Sequence, residues 1–223
     1  MRVYHFTSAK YAIDDIKRKR LKVSRFNELN DPFELLAADL LDPKHRQAFA
    51  NFKNEVNDKA GIICFSGGWG NPLLWGHYAV KHTGIALGFD VSDEMLIDVR
   101  YTSSRPKIEF DKINRRVVDG HQVLDKLIST KFTDWKYEDE SRMYVKLDQS
   151  SNEKGMYFVD FSSDLILREV VLGMNCSESV EEVRKLVDSD VTKVKVIKAG
   201  MALRKFKVIE DRSFRPAQKA SNP

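Results

Sequence analysis

The sequence predicts an α+β fold, in which a mixed, mainly antiparallel sheet forms the core and helices are inserted between its strands. Two features of the 223-residue chain lead to this prediction. Short apolar runs bounded by turn residues, which are typical of strands, recur along the whole chain. Stretches whose apolar residues follow helical spacing separate these runs. With 42% hydrophobic and 10% aromatic residues, the chain can build a well-buried core.

No internal repeat and no low-complexity linker divides the chain, and its length suits one well-filled domain. We therefore expect a single α+β domain over residues 1–215. Residues 216–223 are mostly polar and end in proline, which predicts a disordered C-terminal tail.

The first half of the chain alternates strands with helices. Ser8 has the position and side chain of an N-cap, and Pro72 suits the first turn of a helix. The run 61–66 is almost wholly apolar and leads into two glycines, as a buried central strand does. Residues 27–34 form a turn-rich loop, and Pro32 ends any preceding helix. The predicted strands are 3–6, 21–24, 61–66 and 84–90, and the predicted helices are 9–16, 43–56 and 72–79.

The second half is predicted to close the sheet. The helix over 179–187 has apolar residues at core-facing spacing, with Val180, Val183 and Val187 among them. The other predicted helix covers much of 110–129. The predicted strands are 142–147, 155–161, 165–173, 193–197 and 203–208.

The composition also narrows the functional classes. Cys64 and Cys176 lack CxxC or Cys/His spacing, so they predict free thiols rather than a zinc site. No apolar run approaches the ~20 residues of a spanning helix, and the N-terminus lacks the apolar core of a signal peptide. We therefore expect a cytoplasmic protein with no membrane partner. The sequence does not determine an oligomeric state.

The formal charge of +4 is small beside 37 basic and 33 acidic residues, so it permits nucleic-acid binding without implying it. Basic residues are nevertheless concentrated in two places. One cluster lies within residues 17–25, and the other consists of Lys198, Arg204, Lys205 and Lys207. Such clusters can hold phosphates, and they are equally typical of solvated surfaces.

Two carboxylates follow an aromatic anchor in the segment 135–142, Trp-Lys-Tyr-Glu-Asp-Glu-Ser-Arg. Glu138 and Glu140 are two residues apart, so an extended backbone would place both on the same side. Such a pair can stabilise developing positive charge and accept a proton. The alternative is a solvent-exposed strand edge in which Glu138, Glu140 and Arg142 form cross-strand salt bridges.

A resemblance to known families rests on five segments, 4–7 (Tyr-His-Phe-Thr), 21–34, 64–66 (Cys-Phe-Ser), 75–78 (Trp-Gly-His-Tyr) and 135–142. In order along the chain, they resemble a bacterial domain-of-unknown-function family, the one numbered 2971. The resemblance covers about residues 3–210 of the chain. The same landmarks are similar to those of the ADP-ribosyltransferase superfamily, whose members bind and split NAD.

The superfamily resemblance implies an ADP-ribosyltransferase-like fold with NAD as substrate. Glu140 then matches the catalytic glutamate that stabilises the ribosyl cation, and Glu138 helps to deprotonate the acceptor. Arg142 would pair with phosphate or with Glu140 itself. The implied NAD-binding residues are His5 at the adenosine ribose, Thr7 at ribose hydroxyls, and Ser66 and Tyr78 at the nicotinamide.

The loop 27–34 is either ordered by Asx turns or in contact with substrate, through Asn30, Asp31 and Glu34. His5 is alternatively a buried core histidine, and Trp75, His77, Tyr78 and His82 are alternatively packing residues with a polar rim. No Glu or Cys joins the histidines at a ligand spacing, so no metal is predicted.

The expected function is therefore an NAD-dependent ADP-ribosyltransferase-like enzyme that acts as a toxin or phage-defence effector and modifies nucleic acid or protein. One alternative is a non-catalytic module that binds nucleic acid or a protein through residues 17–25 and the terminal basic strand. A second is a degenerate transferase that binds nucleotide without turnover.

Overall fold

The computed structural model describes residues 1–31, 33, 42–106, 108–109, 117–188 and 193–214. The helices, in chain order, are α1 (Ala9–Arg18), α2 (Pro43–Lys59), α3 (Pro72–Tyr78), α4 (Gly120–Ile128) and α5 (Val180–Val187). The strands are β1 (Arg2–Thr7), β2 (Arg20–Arg25), β3 (Ala60–Ser66), β4 (Ile85–Val91), β5 (Leu96–Asp98), β6 (Arg100–Thr102), β7 (Thr130–Phe132), β8 (Glu140–Lys146), β9 (Ser151–Glu153), β10 (Met156–Asp160), β11 (Leu165–Leu172), β12 (Lys195–Met201) and β13 (Val208–Glu210).

The chain divides into two compact units. Unit 1 consists of Met1–Lys19, Gly68–Asp90 and Leu165–Pro223, and unit 2 consists of Arg20–Gly67 and Val91–Asp164. The single domain over 1–215 stays a prediction, and the tail 216–223 lies outside the described residues.

Unit 1 contains strands in the order β13-β12-β11-β4-β1. The β1–β4 pair is antiparallel and aligns Arg2 with Asp90, whereas β11 and β12 are parallel. Helix α1 begins after Ser8, whose side chain accepts a hydrogen bond from the backbone N–H of Tyr11, so the predicted N-cap is confirmed.

The core of unit 1 forms around Trp75 of α3. Trp75 is fully buried, and Phe6 packs edge-on against it with ring centroids 5.2 Å apart. The indole N–H donates to the carbonyl of Trp69, so burial leaves the polar end of the ring hydrogen-bonded. The other buried members of this cluster are Ala79, Ala86, Val171, Ile197, Ala199 and Val208.

Unit 2 contains strands in the order β9-β10-β2-β3-β8-β5, and each of these neighbouring pairs is antiparallel. Strands β6 and β7 form a separate parallel pair. Helices α2 and α4 contribute to a core of Phe26, Phe49, Ala60, Ile62, Val123, Leu127 and Ile128. The predicted α+β class with a mainly antiparallel sheet is confirmed.

The predicted strand 203–208 is wrong for residues 203–207. These residues turn the chain between β12 and β13, and the N–H of Ala202 donates to the carbonyl of Lys207 at 3.0 Å. The segment mixes apolar and basic residues, as an edge strand often does, but its side chains are exposed on the turn.

The helix predicted over 110–129 begins only at Gly120. Asp119 has a left-handed backbone with φ 49° and caps the helix by accepting from the N–H of Gln122. Residues 110–116 lie outside the described residues.

Candidate functional site

The most distinctive polar feature of unit 2 is a set of four buried charged residues at the start of β8. We call Lys131, Glu138, Glu140 and Arg142 the buried charge group. Each of the four is at most 6% exposed, and Arg142 is fully buried. Charged residues are rarely buried unless they are paired, so this group identifies an unusual environment.

The backbone before β8 brings the two glutamates together. Residues Thr133–Glu138 form a 3-10 helix that ends at Asp139, which has a left-handed φ of 47°. Strand β8 then begins at Glu140 and runs between β3 and β5. Glu138 and Glu140 are therefore not joined by an extended backbone, which was the condition under which the sequence placed both on the same side. The turn at Asp139 nevertheless directs both carboxylates to one ammonium group.

Lys131 bridges the two carboxylates. Its Nζ lies 2.5 Å from Oε2 of Glu138 and 2.9 Å from Oε2 of Glu140. The ring of Trp135 lies beside the same ammonium, with its centroid 5.2 Å from Nζ. One cation thus connects the two acids that the sequence predicted as a pair.

Arg142 holds Glu140 from the other side with two hydrogen bonds. Its Nε donates to Oε1 at 2.7 Å and its Nη2 to Oε2 at 3.1 Å. Its Nη1 donates to the carbonyl of Ile128 at 2.9 Å, which fixes the guanidinium at the C-terminal end of α4. Of the two partners predicted for Arg142, Glu140 is the one observed. Such two-pronged pairs are geometrically specific and stronger than neutral hydrogen bonds.

These contacts keep Glu140 ionised. Burial by itself raises the pKa of the Glu140 carboxyl, but the charges and hydrogen bonds of Arg142 and then Lys131 outweigh it and lower the pKa to about 2. The group contains two cations and two carboxylates, so its formal charge is zero. An exposed strand edge with cross-strand salt bridges, the alternative interpretation of this segment, is wrong because these side chains are buried.

Ser66 lies directly opposite Glu140 in the β3–β8 register. Its side chain is buried, and the next residue, Gly67, donates its N–H to the carbonyl of Asp139 at 2.8 Å. A Cβ on Gly67 would lie 2.2 Å from Oδ2 of Asp139, so a larger residue there would require the Asp139 side chain to shift. Unit 2 therefore brings together Ser66, Glu138, Glu140 and Arg142.

Tyr101 and Lys131 are members of this environment that the sequence prediction missed. The backbone N–H of Glu140 donates to the Tyr101 hydroxyl at 2.8 Å, and burial is the main cause that raises the pKa of Tyr101 to about 12. Both residues lie in three-residue strands, β6 and β7, that are too short to show a period. The sequence did contain one indication of Lys131, because this lysine comes shortly before an aromatic residue and the two glutamates.

His5, Thr7 and Tyr78 belong to unit 1. His5 pairs with Leu87 and Thr7 with Ile85 in the β1–β4 register, and all three predicted side chains are partly exposed. His5 is partly exposed on β1, so its role at the adenosine ribose and the alternative of a core histidine both stay predictions. Tyr78 is the last residue of α3, and its ring centroid lies 6.1 Å from that of His77.

The packing interpretation is confirmed for Trp75 and not for exposed His77. The residues after α3 include three successive left-handed positions at Val80, Lys81 and His82, with φ between 47° and 69°. The His82 ring stacks on Trp75 at a centroid distance of 6.2 Å, and burial lowers the pKa of His82.

The loop 27–34 contains an Asx turn at Asp31. The Asp31 Oδ1 accepts from the N–H of Phe33 at 2.8 Å, and Asp31 is buried, which agrees with the interpretation of an ordered loop. Asn30 is exposed, and Glu34 lies outside the described residues.

The basic cluster within 17–25 is largely paired with acids. Arg18 binds Asp14, and Arg20 lies 2.5 Å from Glu153. In the C-terminal cluster, Lys198 is buried and donates to the carbonyl of Cys176, so it is not part of a basic surface. Two further ion pairs of the first cluster join Lys22 to Glu28 and Arg25 to Asp58.

Comparisons with protein-family models, curated proteins and solved structures found no match to this chain. Among the described residues, no three His, Cys, Asp or Glu side chains are grouped so that they could hold a metal ion. None of the helices within those residues combines the length and apolar content needed to cross a bilayer.

Proposed function

We propose that the chain is an NAD-dependent ADP-ribosyltransferase-like enzyme and that the buried charge group contains its catalytic carboxylates. The observation that carries this proposal is the pair Glu138 and Glu140, buried and bridged by Lys131. We also propose that the α+β fold is ADP-ribosyltransferase-like and that the chain is related to the bacterial family that its motifs resemble. Its acceptor is a nucleic acid or a protein, as suits a toxin or a phage-defence effector.

The energetics of the group support a role beyond folding. Burying charged side chains costs several kcal/mol per ion, and apolar residues of similar size often stabilise a fold as well or better. Perturbed carboxylates in such surroundings occur preferentially at functional sites. Fixing Glu140 in its ionised form supplies the negative charge that a ribosyl cation requires.

The proposed reaction breaks the bond between C1′ of the ribose and the nicotinamide nitrogen. The bonding electrons leave with nicotinamide, which becomes neutral, and Glu140 stabilises the positive charge that develops on the ribose. The nucleophile of the acceptor then forms a bond to C1′, and its proton goes to Glu138.

Lys131 gives Glu140 a way to contact the ribose. Both Glu140 oxygens accept hydrogen bonds from Arg142, and Oε2 also accepts from Lys131. The Lys131 ammonium lies 2.5 Å from Glu138 and 2.9 Å from Glu140, so it can remain with Glu138 when Oε2 of Glu140 accepts a hydrogen bond from the ribose in its place. Arg142 keeps Glu140 ionised throughout. The roles at NAD implied for His5, Thr7, Ser66 and Tyr78, and the substrate contacts of Asn30, Asp31 and Glu34, stay predictions.

The test follows label transfer from adenylate-labelled NAD to DNA, RNA and cell extract. It uses wild type, Glu140→Gln and a control, Glu169→Gln. Glu169 is also a buried strand glutamate, and it accepts from Tyr4 and pairs with Lys195 in unit 1. We expect Glu140→Gln to reduce transfer at least about 100-fold, because an ionised carboxylate is lost, and Glu169→Gln to retain it. Circular dichroism verifies that all three proteins are folded.

Several outcomes would contradict the proposal. Full transfer by folded Glu140→Gln would remove Glu140 from the chemistry. NAD binding without turnover by wild type would favour the degenerate transferase. No NAD binding, together with salt-sensitive binding of nucleic acid, would favour the non-catalytic module.

A further inference from the structure

The turn between β12 and β13 in unit 1 combines exposed apolar and basic side chains. We call residues 201–207, Met-Ala-Leu-Arg-Lys-Phe-Lys, the basic apolar tip. Backbone hydrogen bonds order it, because the N–H of Lys207 donates to Lys205 and that of Val208 donates to Gly70. The tip therefore consists of Met201, the last residue of β12, and the ordered turn that follows it.

The apolar side chains of the tip are almost fully exposed. Leu203 is 99% and Phe206 is 100% exposed, and Met201 is 71% exposed. Val208, the next apolar residue along the chain, is buried in the unit 1 core. Single exposed apolar residues are normal, but three within seven residues indicate a surface that binds something.

The charges of the tip have one sign. Arg204, Lys205 and Lys207 lie between and beside the exposed apolar residues, and the segment contains no acid. The nearest acids that follow are engaged elsewhere, since Glu210 pairs with Lys195 and Asp211 accepts from Ser213. The complementary surface is therefore negatively charged and able to accept apolar side chains.

We propose that the basic apolar tip docks on the surface of a bilayer that contains anionic phospholipid. Leu203 and Phe206 enter the interface, and Arg204 and Lys205 contact lipid phosphates. Two of the three large apolar residues are aliphatic, which suits an acyl boundary better than single-stranded nucleic acid, where aromatic rings must stack on bases. The docking requires no spanning helix. It departs from the prediction of no membrane partner, which rested on the lack of a spanning run and of a signal-peptide core in the sequence.

The test is co-sedimentation of the whole protein with vesicles of phosphatidylcholine, with or without 30% phosphatidylserine as a chosen anionic content. Wild type should bind the anionic vesicles more tightly than the neutral ones, and added salt should weaken this binding. Leu203→Ser with Phe206→Ser should reduce the partition at least about tenfold. Arg204→Gln with Lys205→Gln should reduce it about 30-fold.

Tyr11→Ser is the matched control. Tyr11 is an exposed apolar residue on α1 of the same unit, and its replacement should leave vesicle binding within about twofold. Unfolding is not a concern for Leu203 and Phe206, because their side chains are exposed. The proposal is overturned if wild type does not bind anionic vesicles, or if the serine variant binds as wild type does. It is also overturned if wild type ignores vesicles and the tip variants instead lose binding to a single-stranded oligonucleotide.

Discussion

Each unit contains a lysine that bridges two glutamates, and the two lysines differ in burial. In unit 2, Lys131 lies between Glu138 and Glu140, and its side chain is 4% exposed. In unit 1, Lys195 lies 3.3 Å from both Glu169 and Glu210, and its side chain is 56% exposed. The chemistry is the same in both places, so the comparison isolates what burial does to a charged group.

Burial determines how much each lysine contributes to the free energy of folding and which functions each arrangement can serve. Water screens the charge of Lys195, so its removal costs little, although Glu169 itself is buried and keeps its hydrogen bond from Tyr4. Removal of Lys131 takes away a buried cation that bridges two buried carboxylates. Burying these charges costs free energy of folding. This cost is the reason that we propose a catalytic role for the unit 2 group.

The largest effect is expected from removing each lysine in turn. Lys131→Met should lower the free energy of unfolding by about 3–5 kcal/mol, because it leaves a buried carboxylate unpaired. Lys195→Met should lower it by at most about 1 kcal/mol. Urea denaturation of both variants measures the difference, and equal losses would contradict the role given to burial.

The pH dependence of stability should come next in size. The pKa of Glu140 is about 2 in the folded chain and near its usual 4.5 in the unfolded chain. Because the folded pKa is lowered, the stabilisation is fully present above pH 4.5 and is lost as the pH falls towards 2. The loss should be on the order of 3 kcal/mol. Urea titrations of wild type and Glu140→Gln should show a shallower acid slope for the variant, and identical slopes would exclude the assigned pKa.

A double-mutant cycle sharpens the same comparison. Adding Glu138→Gln to Lys131→Met removes the stranded charge as well as its partner, so it should restore about 1–2 kcal/mol. Adding Glu169→Gln to Lys195→Met should restore little, because Lys195 is exposed. Urea denaturation of the single and double variants gives the coupling energy of each pair. A larger coupling energy for Lys195 with Glu169 than for Lys131 with Glu138 would contradict the role given to burial.

The smallest effects are expected from two glycines, one in each unit. Gly67→Ala should destabilise by about 1 kcal/mol, since its Cβ would collide with the Asp139 carboxylate. Gly76→Ala, in α3, meets no atom within 4 Å and should stabilise by about 0.5–1 kcal/mol. Thermal denaturation should shift in opposite directions for the two variants, and a shift of the same sign would show that the approach at Gly67 is loose.

The sequence predicted the long elements better than the charged site. Runs such as 61–66 and 84–90 are almost wholly apolar, so their strands were predictable from local pattern. Glu138 and Glu140 were correctly paired as neighbours, but a left-handed turn at Asp139 joins them rather than a strand. A single residue with positive φ, such as Asp139 or Asp119, hardly changes the spacing of apolar residues, so that spacing does not predict it.

The partner of the two glutamates could not be predicted from the sequence because it arises from tertiary structure. Lys131 lies on β7, seven residues before Glu138 at the end of the 3-10 helix, and its burial depends on how these two elements pack. The basic residues within 17–25 are visible in the sequence as a cluster, but the acids that pair with them, such as Glu153, are distant in sequence. Charge runs therefore indicated a binding surface that the structure uses largely for ion pairs.

The most direct measurement of the central claim is the initial rate of nicotinamide release from NAD by wild type and by Glu140→Gln at equal folded fraction. We predict a measurable rate for wild type and a loss of at least about 100-fold for the variant, because the buried charge group supplies the ionised carboxylate. Equal rates, or no release by folded wild type in the presence of any acceptor, would contradict the assignment of catalysis to this group.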